Sequence, residues 1–384
     1  MEFVIHRNDL LRELQTVTGV VEKRATLPIL ANLLIEARET SLQVGASDLE
    51  VTIRGRVAAT VVQEGGMTLP AGKLHEIVRS LPEDEVRFKL LERNTVSITC
   101  ARTRYKISGH PREDFPPFPE VDENQGVRLP AAGLRRMIER VAFAITTEDP
   151  RYSLNGAQFQ LKDGYLTLVA TDGHRLAVVS KKQDSVDRAH GFEVIVPRKA
   201  LLEVSKMAEG MSDEDDVVFG ISDQLVFFVV GGHRLTSSVP QGSFPRYENV
   251  MPRECGTALA VPSDDLTAAV RRVSLLASER LGRAVRFGLS PGKLELFSKT
   301  EMGEAQETLV LDYDGPEMSI GFNARYLLDF LSVVGSPTVR LELNPRRETD
   351  RAGQPADPGD KPGQFRPEPQ DDFNYRYVVM PMHL

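Results

Sequence analysis

Two cysteines in 384 residues, Cys100 and Cys255, are too few and too far apart to staple a fold. They make no CxxC pair, and in a reducing compartment the expectation is two buried free thiols. The seven histidines show no HExxH or comparable ligand spacing, so neither a metal site nor a cofactor is expected. The chain nowhere approaches the roughly 18 consecutive apolar residues of a membrane span, so no membrane partner is expected. The segment MEFVIHRNDLL lacks a basic stretch followed by an apolar core, which argues against a secretory signal and for the cytoplasm. A basic excess is missing as well. The formal net charge is −8, whereas proteins that grip nucleic acid by neutralising phosphates are usually basic. Any role on DNA must confine positive charge to one surface or hold DNA by something other than affinity.

What is present is ordinary globular composition, 41% hydrophobic and 27% charged, in a chain long enough for two to four domains. The chain also repeats itself. FVIHRNDLLRELQTV, VRLPAAGLRRMIERV and LAVPSDDLTAAVRRV each read as a short strand leading into an amphipathic helix. Leu10, Leu14 and Val17 fall at i, i+4 and i+7, and so do Leu134, Ile138 and Val141, then Leu266, Val270 and Val273. That spacing is one buried helical face, written three times. A second helix recurs in LPAGKLHEIVRSL, VPRKALLEVSKMA and GFNARYLLDFLSVV, where Val78 and Leu81 correspond to Val204 and Met207 and to Phe330 and Val333. Both families imply three repeats with a period of about 128 residues.

Between the helices the sequence alternates, with turn signals at Lys162-Asp163-Gly164 and Pro291-Gly292-Lys293. The fold class expected is α+β: three repeated domains, each two helices on antiparallel sheet. Their expected bounds are 1–125, 126–252 and 253–384. FPPFPE and SFPRYENVMP end the first two repeats and suit stiff connectors. Most of residues 344–372, rich in Pro, Gly, Asp and Arg, reads as a mobile loop, with GQFRP near Phe365 as a short strand. The polar helix faces carry Arg12, then Arg135, Arg136 and Arg140, then Arg271 and Arg272. The second helices add Lys73, Arg79, Arg198, Lys199, Lys206 and Arg325. Ordinary solvated faces would explain these charges one by one. Their recurrence in all three repeats favours one shared basic surface.

Several long motifs occur in order: TLPILANLL, RYSLNG, LVATDGHRLAV, VIVPRKAL, IGFNARYLLD and the terminal YVVMPMHL. In these the chain resembles, essentially end to end, the beta subunits of bacterial DNA polymerase III, the sliding clamps. It departs from many of them in the length of 344–372, and His383 stands where the family commonly has arginine. The resemblance implies a head-to-tail homodimer, a six-domain ring with helices lining the hole and sheets outside, closed by a heterologous interface. Such a ring encircles double-stranded DNA without sequence specificity and acts as a processivity factor in DNA replication, with no catalysis of its own. A topological hold needs little affinity, which reconciles DNA function with a net negative charge. The implied partners are a clamp loader, and the replicative polymerase and repair proteins bound through short linear peptides.

The resemblance also implies sites. Thr171, Gly173, His174, Arg175 and Leu176 form part of a peptide-binding pocket, joined by Pro245, Val250, Asn323, Tyr326, Val378, Val379, Met380, Pro381 and Met382. DNA contact falls on Arg24, Lys73, Arg151, Tyr152, Arg198 and Lys199. The dimer interface falls on Tyr105 and Ile107, on an edge strand of the first domain, and on Leu275 and Leu276 of the third. Two other readings stand beside these. Asp172 and His174 flank a glycine turn and could serve a hydrolase, but no nucleophile elbow, P-loop or GxGxxG accompanies them; a plain turn with a structural His174 is the simpler account. The repeats could also form a scaffold that binds only proteins.

Overall fold

The computed structural model describes residues 1–22, 27–146, 152–183, 191–252, 255–279, 282–343 and 361–382, with the side chain of Tyr152 outside that set. Among the described residues six α-helices punctuate antiparallel strands: α1 (Arg7–Val17), α2 (Ala71–Ser80), α3 (Ala131–Ala142), α4 (Arg198–Met207), α5 (Ser263–Val273) and α6 (Ala324–Leu331). Each begins where a strand stops. The strands before α2, α3, α4 and α5 end on Pro70, Pro130, Pro197 and Pro262. Proline has no N–H for the ladder, so the strand ends there and the chain is free to turn. At α1 and α6 the equivalent residue is a side-chain cap. His6 Nδ1 accepts from Asn8 N at 3.3 Å, and Asn323 Oδ1 accepts from Arg325 N at 2.9 Å. The apolar faces behave as their spacing requires, with Leu10, Leu14, Val17, Leu134, Ile138, Val141, Leu266, Val270 and Val273 all buried.

The chain forms two compact units, residues 1–135 with 196–239 and residues 136–195 with 240–384. These units do not follow the repeat period, because strand pairing divides the middle repeat. In the first unit a nine-stranded sheet runs in the order His110–Pro111, Gly65–Pro70, Asn32–Arg38, Ser41–Ser47, Val51–Ala58, His233–Ser238, Leu225–Val230, Asp216–Ser222, Val127–Pro130. Its seam is the pairing of Leu235 with Ile53. Beside it a five-stranded sheet ends on the edge strand Thr103–Ser108.

In the second unit an eight-stranded sheet runs Phe192–Pro197, Gly156–Lys162, Tyr165–Thr171, Arg175–Lys182, Asn374–Val379, Gly363–Glu368, Thr338–Leu343, Thr257–Pro262. Its seam pairs Leu176 with Val378. A four-stranded sheet ends on the edge strand Gly303–Val310. The Lys162–Tyr165 hairpin turns through Asp163 and Gly164, both at positive φ, as a two-residue turn between twisted strands demands.

Within 344–372 the short strand expected near Phe365 is present and lies deep in the sheet. Gly363–Glu368 is a central strand paired on both sides. Phe365 is buried, with its ring 5.4 Å from Phe322. Alternation in GQFRPE is short and interrupted by proline, so pairing partners rather than local composition hold it in the sheet. Residues 344–360 and His383 lie outside the described residues. Of the two thiols, Cys100 is buried and Cys255 only half-buried; both are free.

Candidate functional site

The segment Thr171–Leu176 is built as a hydrogen-bonded turn. Asp172 Oδ1 accepts from the backbone N of His174 (3.0 Å) and of Arg175 (3.1 Å), and its Oδ2 accepts from Arg175 Nε (2.9 Å). Thr171 Oγ1 donates to Arg175 O at 2.6 Å and accepts from Gly173 N at 3.0 Å. Gly173 sits at φ 90, a conformation that only glycine adopts cheaply. Asp172 therefore spends its lone pairs on the turn and on Arg175. No hydrogen bond joins it to the His174 ring among the described residues, so the Asp–His pair that a hydrolase would need is not assembled.

Arg175 anchors this turn to the body of its unit. Its guanidinium pairs with Asp172 and, at 2.6 Å, with Asp329 of α6. It also donates to Phe143 O at 2.6 Å and lies 4.3 Å over the ring of Tyr326. Burial works against its charge, but Tyr377, Asp329 and Asp172 outweigh that and hold the guanidinium protonated far above any accessible pH. The C-terminal segment closes the other side, with Met380 N donating to His174 O at 2.9 Å.

Above this seam is a cavity of about 180 Å³ whose lining is mainly apolar. Nine of the residues named from sequence line it: Thr171, Gly173, His174, Arg175, Leu176, Pro245, Val250, Val378 and Met380. Leu154, Arg246 and Tyr247 complete it. Phe244, Tyr247 and Met251 pack onto Val169, Leu176, Val178 and Val378. The supposed connector SFPRYENVMP is thus a strap across the sheet. Its apolar residues at i, i+3 and i+7 were the signal that could have shown this.

Five named residues do not line the cavity. Val379 is fully buried on the opposite face of its strand, because successive side chains alternate and Val378 takes the cavity side. Asn323 spends its carboxamide capping α6. Tyr326 lies under Arg175. Pro381 and Met382 lie past the strand, where Met382 N donates to Gly321 O at 2.8 Å and its side chain lies beside Gly282.

The residues named for DNA scatter differently. Arg24 and Arg151 lie outside the described residues, as does the Tyr152 side chain. Lys73 is exposed, 2.6 Å from Glu76, and Arg198 is half-buried at the start of α4. Lys199 is half-buried beside it. Its ammonium is engaged by Asp48 and by Glu22 at 3.1 Å; burial opposes its charge, and the two carboxylates more than compensate and raise its pKa. Arg140 is a correction. It is buried, forked onto Asp371 at 3.1 and 2.6 Å and stacked 4.7 Å from Phe373. Arg272 pairs with Glu307, and Lys206 with Glu203 at 3.7 Å. Carboxylates of the same chain answer much of the recurring positive charge.

Tyr105 and Ile107 are half-buried on the edge strand Thr103–Ser108, as expected of that strand's position. They alternate with exposed Arg104 and Lys106, and Arg102 precedes them. Leu275 is 79% exposed in the turn Ser274–Leu276 that follows α5, and Leu276 is half-buried. The edge strand Gly303–Val310 exposes Glu304 and Val310, with Glu301 and Met302 just before it. One unit thus presents a basic sheet edge, and the other an edge with Glu301 and with Glu304, which lies 3.7 Å from Lys299.

Known proteins share this whole chain. Three family models match in order: the DNA polymerase III beta subunit N-terminal domain over residues 1–119, its central domain over 128–246 and its C-terminal domain over 248–349. A beta sliding clamp of Pseudomonas aeruginosa is 36% identical over 388 residues, covering 100% of both chains. One of Escherichia coli is 35% identical over 386 residues, again covering 100% of both. Among solved structures, the P. aeruginosa sliding clamp bound to griselimycin superposes with TM-score 0.90 at 34% identity over 100% of both chains. The Bacillus subtilis sliding clamp gives 0.91 at 25% identity, covering 100% of this chain and 99% of that one.

Proposed function

The chain belongs to the DNA polymerase III beta subunit family, the sliding clamps, and from that membership we propose a non-catalytic, ring-forming homodimer that carries peptide-bound partners along DNA in the cytoplasm. Its function is that of a DNA sliding clamp, a processivity factor for replication. The observation that carries the ring is the pair of sheet edges. Arg102, Arg104 and Lys106 accompany one, and Glu301 and Glu304 the other. Both leave alternate side chains half-buried and a row of backbone groups unpaired. Unlike edges on one chain make a heterologous contact, which closes a two-membered ring when the rotation permits. Leu275, Leu276, Tyr105 and Ile107 supply apolar contact beside the charges.

A ring that holds double-stranded DNA by topology needs no sequence-reading contacts and little phosphate affinity. The carboxylates paired with Lys199, Lys206 and Arg272 reduce the positive charge offered to DNA, which suits sliding rather than gripping. A clamp loader would have to open the ring. The apolar cavity would receive the hydrophobic anchors of linear peptides from the replicative polymerase and repair proteins, and a homodimer would hold two. Loaded on a nicked circle, the clamp should resist salt that strips phosphate-binding proteins and leave soon after linearisation. Steep loss with salt and indifference to DNA ends would overturn the topological reading.

A further inference from the structure

The strap of residues 243–252 has two sides. On one lies the apolar cavity. On the other, still within the same compact unit, lies a second cavity of about 510 Å³ whose lining is mainly polar. It shares Pro245, Arg246 and Tyr247 with the first, so the two adjoin across the strap. Its floor is the strand Gly156–Lys162, which turns Gln158 and Gln160 to this face. Gln160 Nε2 donates to Glu193 at 3.2 Å. Gln158 is only 4% exposed, and among the described residues its carboxamide has no hydrogen-bond partner. Lining the cavity, that amide can take a hydrogen bond from an incoming polar group. Glu193 and Glu248 outnumber the one cation, Arg246.

We propose that this polar trough is a second subsite of the peptide groove, taking a lysine or arginine that flanks the apolar anchors of a clamp-binding peptide. The inference rests on the apolar cavity being a peptide site. The flanking cation would donate to Glu193 and to the free carbonyl oxygen of Gln158, while the anchors fill the space beside Leu176 and Val378. Specificity among peptides with similar anchors would then come from flanking charge, a difference of affinities set outside the apolar cavity.

The test is fluorescence anisotropy with a labelled polymerase-derived peptide carrying the apolar anchors, made plain or with a lysine or glutamate flank at either end. Against the wild-type dimer, a lysine flank at one end should tighten binding about fivefold, and glutamate at that end should weaken it. Glu193→Lys should reverse this preference, and Gln158→Leu should reduce the lysine gain. Both variants should bind the plain peptide as the wild type does. Normal binding of the plain peptide with no flank effect, or a lysine gain that survives Glu193→Lys, overturns the trough alone. Failure of the wild type to bind even the plain peptide overturns the cavity reading and this inference together.

Discussion

Single residues carry consequences that their burial makes large. Arg175 is held by two carboxylates, a carbonyl and an aromatic face. Arg175→Ala leaves Asp172 and Asp329 uncompensated and should cost about 3 kcal/mol in denaturant unfolding. Arg175→Lys should recover little, because an ammonium cannot reproduce the fork; wild-type stability in the lysine variant would show that the fork is not the anchor. In the first unit, His233 Nε2 lies 2.9 Å from Glu13 Oε2 on α1. The hydrogen bond that His233 donates to the Glu13 carboxylate raises its pKa against the effect of burial, with help from the carbonyls of Gly231 and Val230. A histidine raised on folding stabilises fully below its ordinary value of 6.5. That contribution fades as pH climbs through the higher folded value. The urea midpoint should therefore lose a component on going from pH 6 toward 8, and His233→Gln should lack that component. An unchanged pH profile in the variant would disprove the linkage. Gly55 makes room for the pair, since a Cβ there would stand 2.1 Å from Glu13 Oε1 and 2.4 Å from the His233 ring.

At the scale of elements, the strands that composition disguised matter most. Gly363–Glu368 lies in the middle of the second unit's large sheet, and Phe365 packs among Phe322, Phe330 and Tyr377. Phe365→Ala should destabilise by about 3–5 kcal/mol. A shift in unfolding midpoint worth under about 1 kcal/mol would mean that the segment is peripheral after all. The neighbouring strand Asn374–Val379 is fastened by its tyrosines. Tyr375 donates to Arg140 O at 2.7 Å, and Tyr377 donates to Tyr326 O at 2.9 Å while stacking 4.9 Å from Phe330. Those contacts precede Met380, so removing Met380–Leu384 should leave unfolding nearly unchanged while abolishing peptide binding. Titration of the truncated chain with a polymerase-derived peptide decides it, and intact affinity would place the peptide elsewhere.

At the scale of the molecule, the charges on the two sheet edges predict assembly. Arg104→Glu with Lys106→Glu should give folded monomers by sedimentation. Adding Glu301→Lys and Glu304→Lys in the same chain should restore dimers by making both edges unlike again. A double variant that remains dimeric at micromolar concentration would remove the edges from the interface. The strap and its two cavities belong to this scale too, since Gln158, Leu176, Tyr247 and Val378 become neighbours only after distant strands pair.

Sequence by itself determined the three repeats, the six helices and their buried faces, and the tight hairpin at Asp163-Gly164. Each is written in spacing over a few turns or in one dihedral demand, so local order suffices to specify it. The motif resemblance also drew into one group nine residues that line a single cavity. Tertiary structure alone decided which cations are free. Arg140, Lys199 and Arg272 look like unpaired helix charges until Asp371, Asp48 and Glu307 arrive from other elements. It decided that Val378 faces the cavity and Val379 the core, because that choice depends on which strand lies alongside and in what register. It made a strap of a proline-bearing connector and a core strand of a polar stretch. In each case the partner lies tens to hundreds of residues away, where periodicity carries no information and pairing is set by what the whole chain buries.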